Sequence, residues 1–139
     1  MNDIERQFLA KQFVGHLATA DGDGVPHVVP VCFAIQENTV YIAIDQKPKS
    51  GEARALKRLR NIAVNHSVAL IADHYEEDWR RLGWVMLRGS AEILESGVER
   101  EAAHKMLRHR YKQYEEMDFS GLPVIAIRIA RASSWGQLD

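Results

Sequence analysis

The chain has 139 residues, with 18 basic and 19 acidic side chains and a net charge of −1. That length suits one domain, 1–139, large enough to bury a core of its own, and the balanced charge argues against bulk attraction to nucleic acid or anionic lipid. The single cysteine, Cys32, excludes an internal disulfide framework and a thiolate-rich metal centre; no apolar run reaches membrane-spanning length, and Met1-Asn2-Asp3-Ile4-Glu5 lacks the basic and apolar regions of a signal peptide, so the expected address is the cytoplasm.

The first segment reads as a short amphipathic helix with Ile4, Phe8, Leu9 and Phe13 on one face and Asn2 or Asp3 as its cap. Two β-compatible runs follow, Val14 to Ala20 and Val25 to Ile35, joined by Asp21-Gly22-Asp23-Gly24, whose residues tolerate positive φ. Pro26 and Pro30 cannot donate backbone hydrogen bonds, so the second run should be an edge, bulged or irregular strand. Gln36-Glu37-Asn38 leads into a strand from Thr39 to Ile44. A polar loop containing Lys47-Pro48-Lys49-Ser50-Gly51 precedes a helix from about Glu52 to Val64, with Leu56, Leu59 and Ala63 inward.

Val68 to Ala72 is a buried strand, Asp73 to Leu82 irregular or a short helix, and Trp84 to Leu94 a long strand. Glu95 to Tyr114 is the clearest helix, with Val98, Ala102, Met106 and Tyr111 stacked on its inner face. Val124 to Ala130 is the last strand, and Trp135 falls in a short tail. Roughly six strands and three helices that do not alternate predict an α+β fold, mainly β, built on an antiparallel sheet or barrel with added helices.

The strongest chemical signal is the segment from Lys47 to Arg60, which carries Lys47, Lys49, Arg54, Lys57, Arg58 and Arg60 against Glu52 alone. Ser50 and Gly51 fall where a helix begins, where free N–H groups and the helix dipole attract anions. Lys47 and Lys49 add point charge and Arg54 a planar fork, the makings of a phosphate or carboxylate cradle. The competing reading is a solvated basic helix face; Arg58 and Arg60 fit that reading better than Lys47 and Lys49 do. Gly22-Asp23-Gly24-Val25-Pro26-His27 lacks the third glycine of a dinucleotide fingerprint and is followed by a strand, so it is a hairpin turn.

The six histidines show no zinc-site spacing, and no metal is expected. His16 and His27 draw attention because both lie in the first hairpin. Cys32 sits between Val31 and Phe33 as a small core residue with no local base to activate it. No catalytic residue is identifiable. A domain with one anion cradle and no evident nucleophile suits a cofactor that carries its own chemistry.

His16-Leu17-Ala18-Thr19-Ala20-Asp21-Gly22-Asp23-Gly24-Val25-Pro26-His27-Val28-Val29-Pro30-Val31 resembles the opening hairpin of the pyridoxamine 5′-phosphate oxidase-like superfamily. Tyr41 to Lys49, Asn65 to Leu70 and Trp84 to Ile93 resemble, in order, the strand and phosphate loop, the next turn and strand, and the strand after that. The Lys47-Pro48-Lys49 loop, Asp73-His74-Tyr75, and Asp78-Trp79 ahead of Trp84 resemble the small branch that uses the deazaflavin coenzyme F420; flavin mononucleotide (FMN) users share the scaffold.

The resemblance implies an antiparallel split β-barrel of the FMN-binding-protein type, forming a homodimer with F420 or FMN in a groove at the subunit interface. It maps Lys47, Lys49 and Ser50 onto the phosphate loop and Arg54 beside it. It maps Val29, Pro30 and Val31 onto the strand lining the ring, and Trp84 and Trp135 onto the pocket wall. It implies an oxidoreductase moving hydride to or from a small organic substrate, or else a non-catalytic flavin or deazaflavin carrier. No Arg-x-His ending follows Trp135, so oxidation of pyridoxamine phosphate is not the expected activity.

Overall fold

Prolines at 26 and 30 leave gaps in the donor row of the strand that carries them, and such a strand is stable only where one side needs no partner. In the computed structural model, which describes residues 1–45 and 56–139, that strand, β2 (Pro26–Val31), pairs with β1 (Gly15–Ala20) alone and forms one edge of the sheet. The other strands are β3 (Ala34–Gln36), β4 (Thr39–Ala43), β5 (Ser67–His74), β6 (Gly83–Leu94) and β7 (Val124–Gly136). All pair antiparallel in the order β2-β1-β5-β6-β7-β4-β3. Among the described residues three α-helices accompany them: α1 (Asp3–Lys11), α2 (Lys57–Val64) and α3 (Val98–Arg110). The fold is α+β, an antiparallel split barrel.

The two longest strands hold the halves together. β6 and β7 pair from Gly83–Gly136 to Leu94–Val124, and the register shifts between Arg88 and Gly89. The extra residue, Ala130, lies on β7, and a bulge of this kind bends its strand and increases the local twist. Only glycine fits at 89, because a Cβ would lie 2.1 Å from the Arg128 carbonyl oxygen.

Two apolar clusters follow from strand alternation. Val40, Ile42, Ile125 and Ile127 point into the barrel with Leu17, Leu70, Val85 and Leu87. Their neighbours Tyr41, Ala43, Val124 and Ala126 point the other way, under Ala103, Leu107, Tyr111, Tyr114 and Phe119. β4 and the start of β7 are therefore buried on both faces, which explains their unbroken apolar runs.

Several elements depart from the sequence expectations, each for a local reason. The run from Val25 to Ile35 splits into β2 and β3 at Cys32-Phe33, giving seven strands where six were expected. The Tyr111 hydroxyl holds the break: it accepts the Phe33 N–H at 2.9 Å and lies 2.8 Å from the Phe13 carbonyl oxygen. Trp135 belongs to β7, opposite Trp84, and not to a tail.

In α1 the inward residues are Glu5, Phe8 and Leu9, while Ile4 and Phe13 are exposed. Glu5 turns in because it closes a capping box with Asn2, and Phe13 lies past the helix end at Lys11. In α2, Ile62 and Asn61 turn inward in place of Ala63. In α3 the buried stripe is Ala103, His104 and Leu107; Val98 is 87% exposed at the first helical position. A histidine inside that stripe disguised its phase.

Candidate functional site

β2 ends at Val31, β4 ends at Ala43, and α2 begins at Lys57; the three ends converge around a cleft of about 180 Å³. Val14, Pro30, Val31 and Ala43 give it apolar walls, and Cys32, Asp45 and Arg58 give it a polar side. The placement of α2 follows from its side chains. Asn61, 1% exposed, donates to the Thr19 hydroxyl at 3.0 Å, and Asn65 donates to the Asp21 carbonyl oxygen at 3.3 Å. Lys57 lies 3.9 Å from the Asp21 carboxylate. These contacts lock the helix onto the first hairpin and carry Arg58 to the cleft.

The other side is framed by the turn after α3. Tyr111 fixes the β2–β3 break, and three residues on Tyr114 donates its hydroxyl to Asp45 Oδ2 at 2.5 Å. Tyr114 packs edge-on against Phe119, and Phe119 stacks on His104. Burial, the Asp45 carboxylate and Cys32 together hold the Tyr114 phenol protonated well above its ordinary range.

Among the described residues, Arg58 is the cation that borders the cleft. Its Nε is buried and meets no acceptor. Burial draws its pKa down and the charge of Asp45 pushes back; a guanidinium stays charged throughout. Buried polar groups in folded proteins are nearly always paired, so a buried guanidinium nitrogen with no acceptor beside an open cleft fits an oxyanion.

Of the residues anticipated as cofactor contacts, Pro30 and Val31 line this cleft and Val29 precedes them on β2. Lys47, Lys49, Ser50 and Arg54 lie outside the described residues. Trp84 sits half-buried on the sheet face turned away from the core, three strands from β2 and paired with Trp135. That separation is about 14 Å at ordinary strand spacing, and Trp84 does not border the cleft. His16 shares the outer face with Trp84, and His27 turns its buried, unpartnered Nδ1 inward. Among the described residues no group of three His, Cys, Asp or Glu side chains is placed to hold a metal ion.

Arg58 itself was missed, having been grouped with Arg60 as surface charge. The signal was present: Arg58 lies three and four residues before Asn61 and Ile62, hence on the same helix face, and both of those are buried. Arg60 lies off that face and is exposed.

The outer face of β2, β1 and β5 is largely apolar, interrupted by His16, Ser67 and Asp73. Ala18, Ala20, Pro26, Ser67 and Ala69 border a shallow depression of about 280 Å³ next to Arg88, and Val28 is 61% exposed. No helix among the described residues is long and apolar enough to cross a membrane.

Comparison with known proteins gives these observations a setting. A family model described as pyridoxamine 5′-phosphate oxidase matches residues 1–136. A 5a,11a-dehydrotetracycline/5a,11a-dehydrooxytetracycline reductase of Streptomyces rimosus subsp. rimosus is 34% identical over 101 residues, which are 72% of this chain and 68% of the reductase. A solved FAD-binding protein of Mesorhizobium loti superposes with a TM-score of 0.72 at 23% identity, covering 96% of this chain and 94% of the other. A structure named as an F420 reductase gives 0.69 at 21% identity, covering 96% and 98%. At those identities the two structures show a shared fold.

Proposed function

Because the chain belongs to the pyridoxamine 5′-phosphate oxidase family, we propose that it is an oxidoreductase that holds coenzyme F420 or FMN at a homodimer interface and passes hydride to or from a small organic substrate. The observation that carries the reading is the 34% identity with a reductase over about two thirds of both chains. The cleft supports it. It has apolar walls against which an aromatic ring packs and a guanidinium whose buried Nε lacks an acceptor. A phosphate-bearing ring cofactor needs both.

The bound ring supplies the hydride chemistry. The chain's own residues bind and orient. Val29, Pro30 and Val31 present one edge of the ring site, and Lys47, Lys49, Ser50 and Arg54 hold the phosphate. Trp84 reaches the groove from the second copy, which covers the apolar outer face of the sheet. The apolar walls exclude water near the reacting atoms, which strengthens every charge contact made there. The single domain and its cytoplasmic address belong to the same reading.

Coenzyme F420 is preferred because the chain resembles the deazaflavin branch in its Lys47-Pro48-Lys49 loop and because a structure sharing its fold is named as an F420 reductase. FMN is the second reading, favoured by the family match and by a fold neighbour that binds FAD. The test is anaerobic reoxidation of reduced F420 and of reduced FMN, with acceptors carrying a conjugated C=C bond. Protein-dependent reoxidation of the deazaflavin is the expected result. Binding without turnover would make the protein a carrier and overturn the enzymatic half of the proposal.

A further inference from the structure

Asp45 and Arg58 border the same cleft, yet no ion pair within 4 Å joins them; the Asp45 carboxylate is engaged instead by the Tyr114 hydroxyl at 2.5 Å. An arginine beside a carboxylate normally forms a bidentate pair, and a guanidinium so engaged is unavailable to a ligand. Here the strongest donor near Asp45 is a buried phenol. Tyr114 is itself fixed, 4% exposed and packed edge-on to Phe119 with ring centroids 5.2 Å apart.

Resting on the proposed cofactor-binding role of this cleft, in which Arg58 takes a phosphate oxyanion of the ligand, we propose that Tyr114 is a positioning residue which sequesters Asp45 and so keeps Arg58 free for it. Arg58 supplies the charge-assisted contact, and its Nε–H is the donor awaiting an acceptor. Asp45 opposes the ligand, because its negative charge borders the same cleft as the incoming anion. Tyr114 limits that opposition by engaging the carboxylate in a hydrogen bond.

The arrangement makes a prediction of unusual sign. Asp45→Asn keeps an acceptor for the Tyr114 hydroxyl and removes the charge, so it should tighten phosphate binding roughly threefold or more. Tyr114→Phe preserves the ring packing and frees the carboxylate to pair with Arg58, so binding should weaken roughly tenfold. In the double variant Tyr114→Phe/Asp45→Asn the freed side chain carries no charge, and affinity should return to at least that of the unmodified protein. A merely structural role for Tyr114 would not be rescued by Asp45→Asn. Arg58→Lys should weaken binding roughly tenfold or more, because an ammonium cannot offer the fork, and the exposed Arg60→Ala should leave it unchanged.

The experiment is a titration of the whole protein with inorganic phosphate, FMN and coenzyme F420, read by the guanidinium Nε–H resonances in a ¹H–¹⁵N spectrum. The Arg58 signal is assigned by its loss in Arg58→Lys. Riboflavin, which has the ring and no phosphate, is the control. The Arg58 resonance should move and saturate with phosphate and with the phosphorylated cofactor, and stay in place with riboflavin. An Arg58 signal unmoved by all three phosphate compounds overturns the binding role, and failure of the double variant to recover overturns the role of Tyr114. If inorganic phosphate moves Arg58 while neither cofactor binds, the oxidoreductase reading falls and the oxyanion site stands. If a cofactor binds without moving Arg58, the outcome is the reverse.

Discussion

Arg58 and Arg60 are two positions apart in a basic stretch, and composition treats them alike. Helix geometry separates them: Arg58 shares a face with Asn61 and Ile62 and borders the cleft, whereas Arg60 is exposed. The same contrast applies to acids. Glu99 accepts from Arg128 Nη1 at 2.6 Å and Nη2 at 3.0 Å and from the Tyr41 hydroxyl at 2.6 Å, and Arg128 first, then Tyr41, pulls its pKa down to about 2 from 4.5. A folded-state pKa below the unfolded one means stability that is present above pH 4.5 and lost as pH falls towards 2. The side chain is 41% exposed, so screening keeps the benefit small. Glu99→Gln should cost about 0.5–1 kcal/mol in urea unfolding at pH 7, with the gap from wild type closing below pH 4.5. Lys49→Ala should weaken cofactor binding by about 1–3 kcal/mol, the worth of a charge-assisted contact. Unchanged affinity would place the phosphate elsewhere.

At the scale of elements, the hairpin, the edge strand and the long strand β6 were legible because glycine, proline and alternation act locally, whereas β7 runs on through Trp135, where the sequence reading placed a tail. The break at Cys32-Phe33 was not, because the Tyr111 hydroxyl that stabilises it comes from 78 residues further on. The phase of α3 was not legible either. His104 occupies a core position, 2% exposed and stacked on Phe119 at 4.9 Å, and a pattern search skips a polar residue. Burial, reinforced by Arg100 and Arg108 and opposed by Glu101, lowers the pKa of His104, so the neutral ring is the folded form. The unfolded chain binds the proton more readily, and stability should therefore fall as pH drops below about 6.5. His104→Phe, which keeps the stack, should flatten that part of the pH–stability profile; an unaltered profile would assign the acid sensitivity to other groups. Gly89→Ala should cost roughly 4 kcal/mol or more, since the added Cβ meets backbone that cannot yield. A variant of wild-type stability would mean that the bulge is not needed to join the two halves.

Across the whole molecule, an antiparallel sheet or barrel with added helices followed from the order and patterning of the strands, and the resemblance to the family supplied the split barrel. The cleft was only partly legible. Pro30 and Val31 were anticipated through that resemblance, but Asp45, Arg58 and Tyr114 meet only once the ends of β4, α2 and α3 are brought together. The open face of β2, β1 and β5 leaves Val28 61% exposed among alanines and prolines. A patch of that kind on a sheet marks an interaction surface. If a second copy covers it, light scattering should give twice the 15.8 kDa of one chain, and Val28→Glu should shift the protein to monomer and weaken cofactor binding with it. A wild-type monomer that binds cofactor would remove the shared groove from the account.

The most direct test of the central claim is a side-by-side fluorescence titration of the purified protein with coenzyme F420 and with FMN. Saturable binding of the deazaflavin at micromolar concentration, tighter than that of FMN, is the expected result. Binding of neither would contradict it, leaving the split barrel in place and removing the cofactor from its cleft.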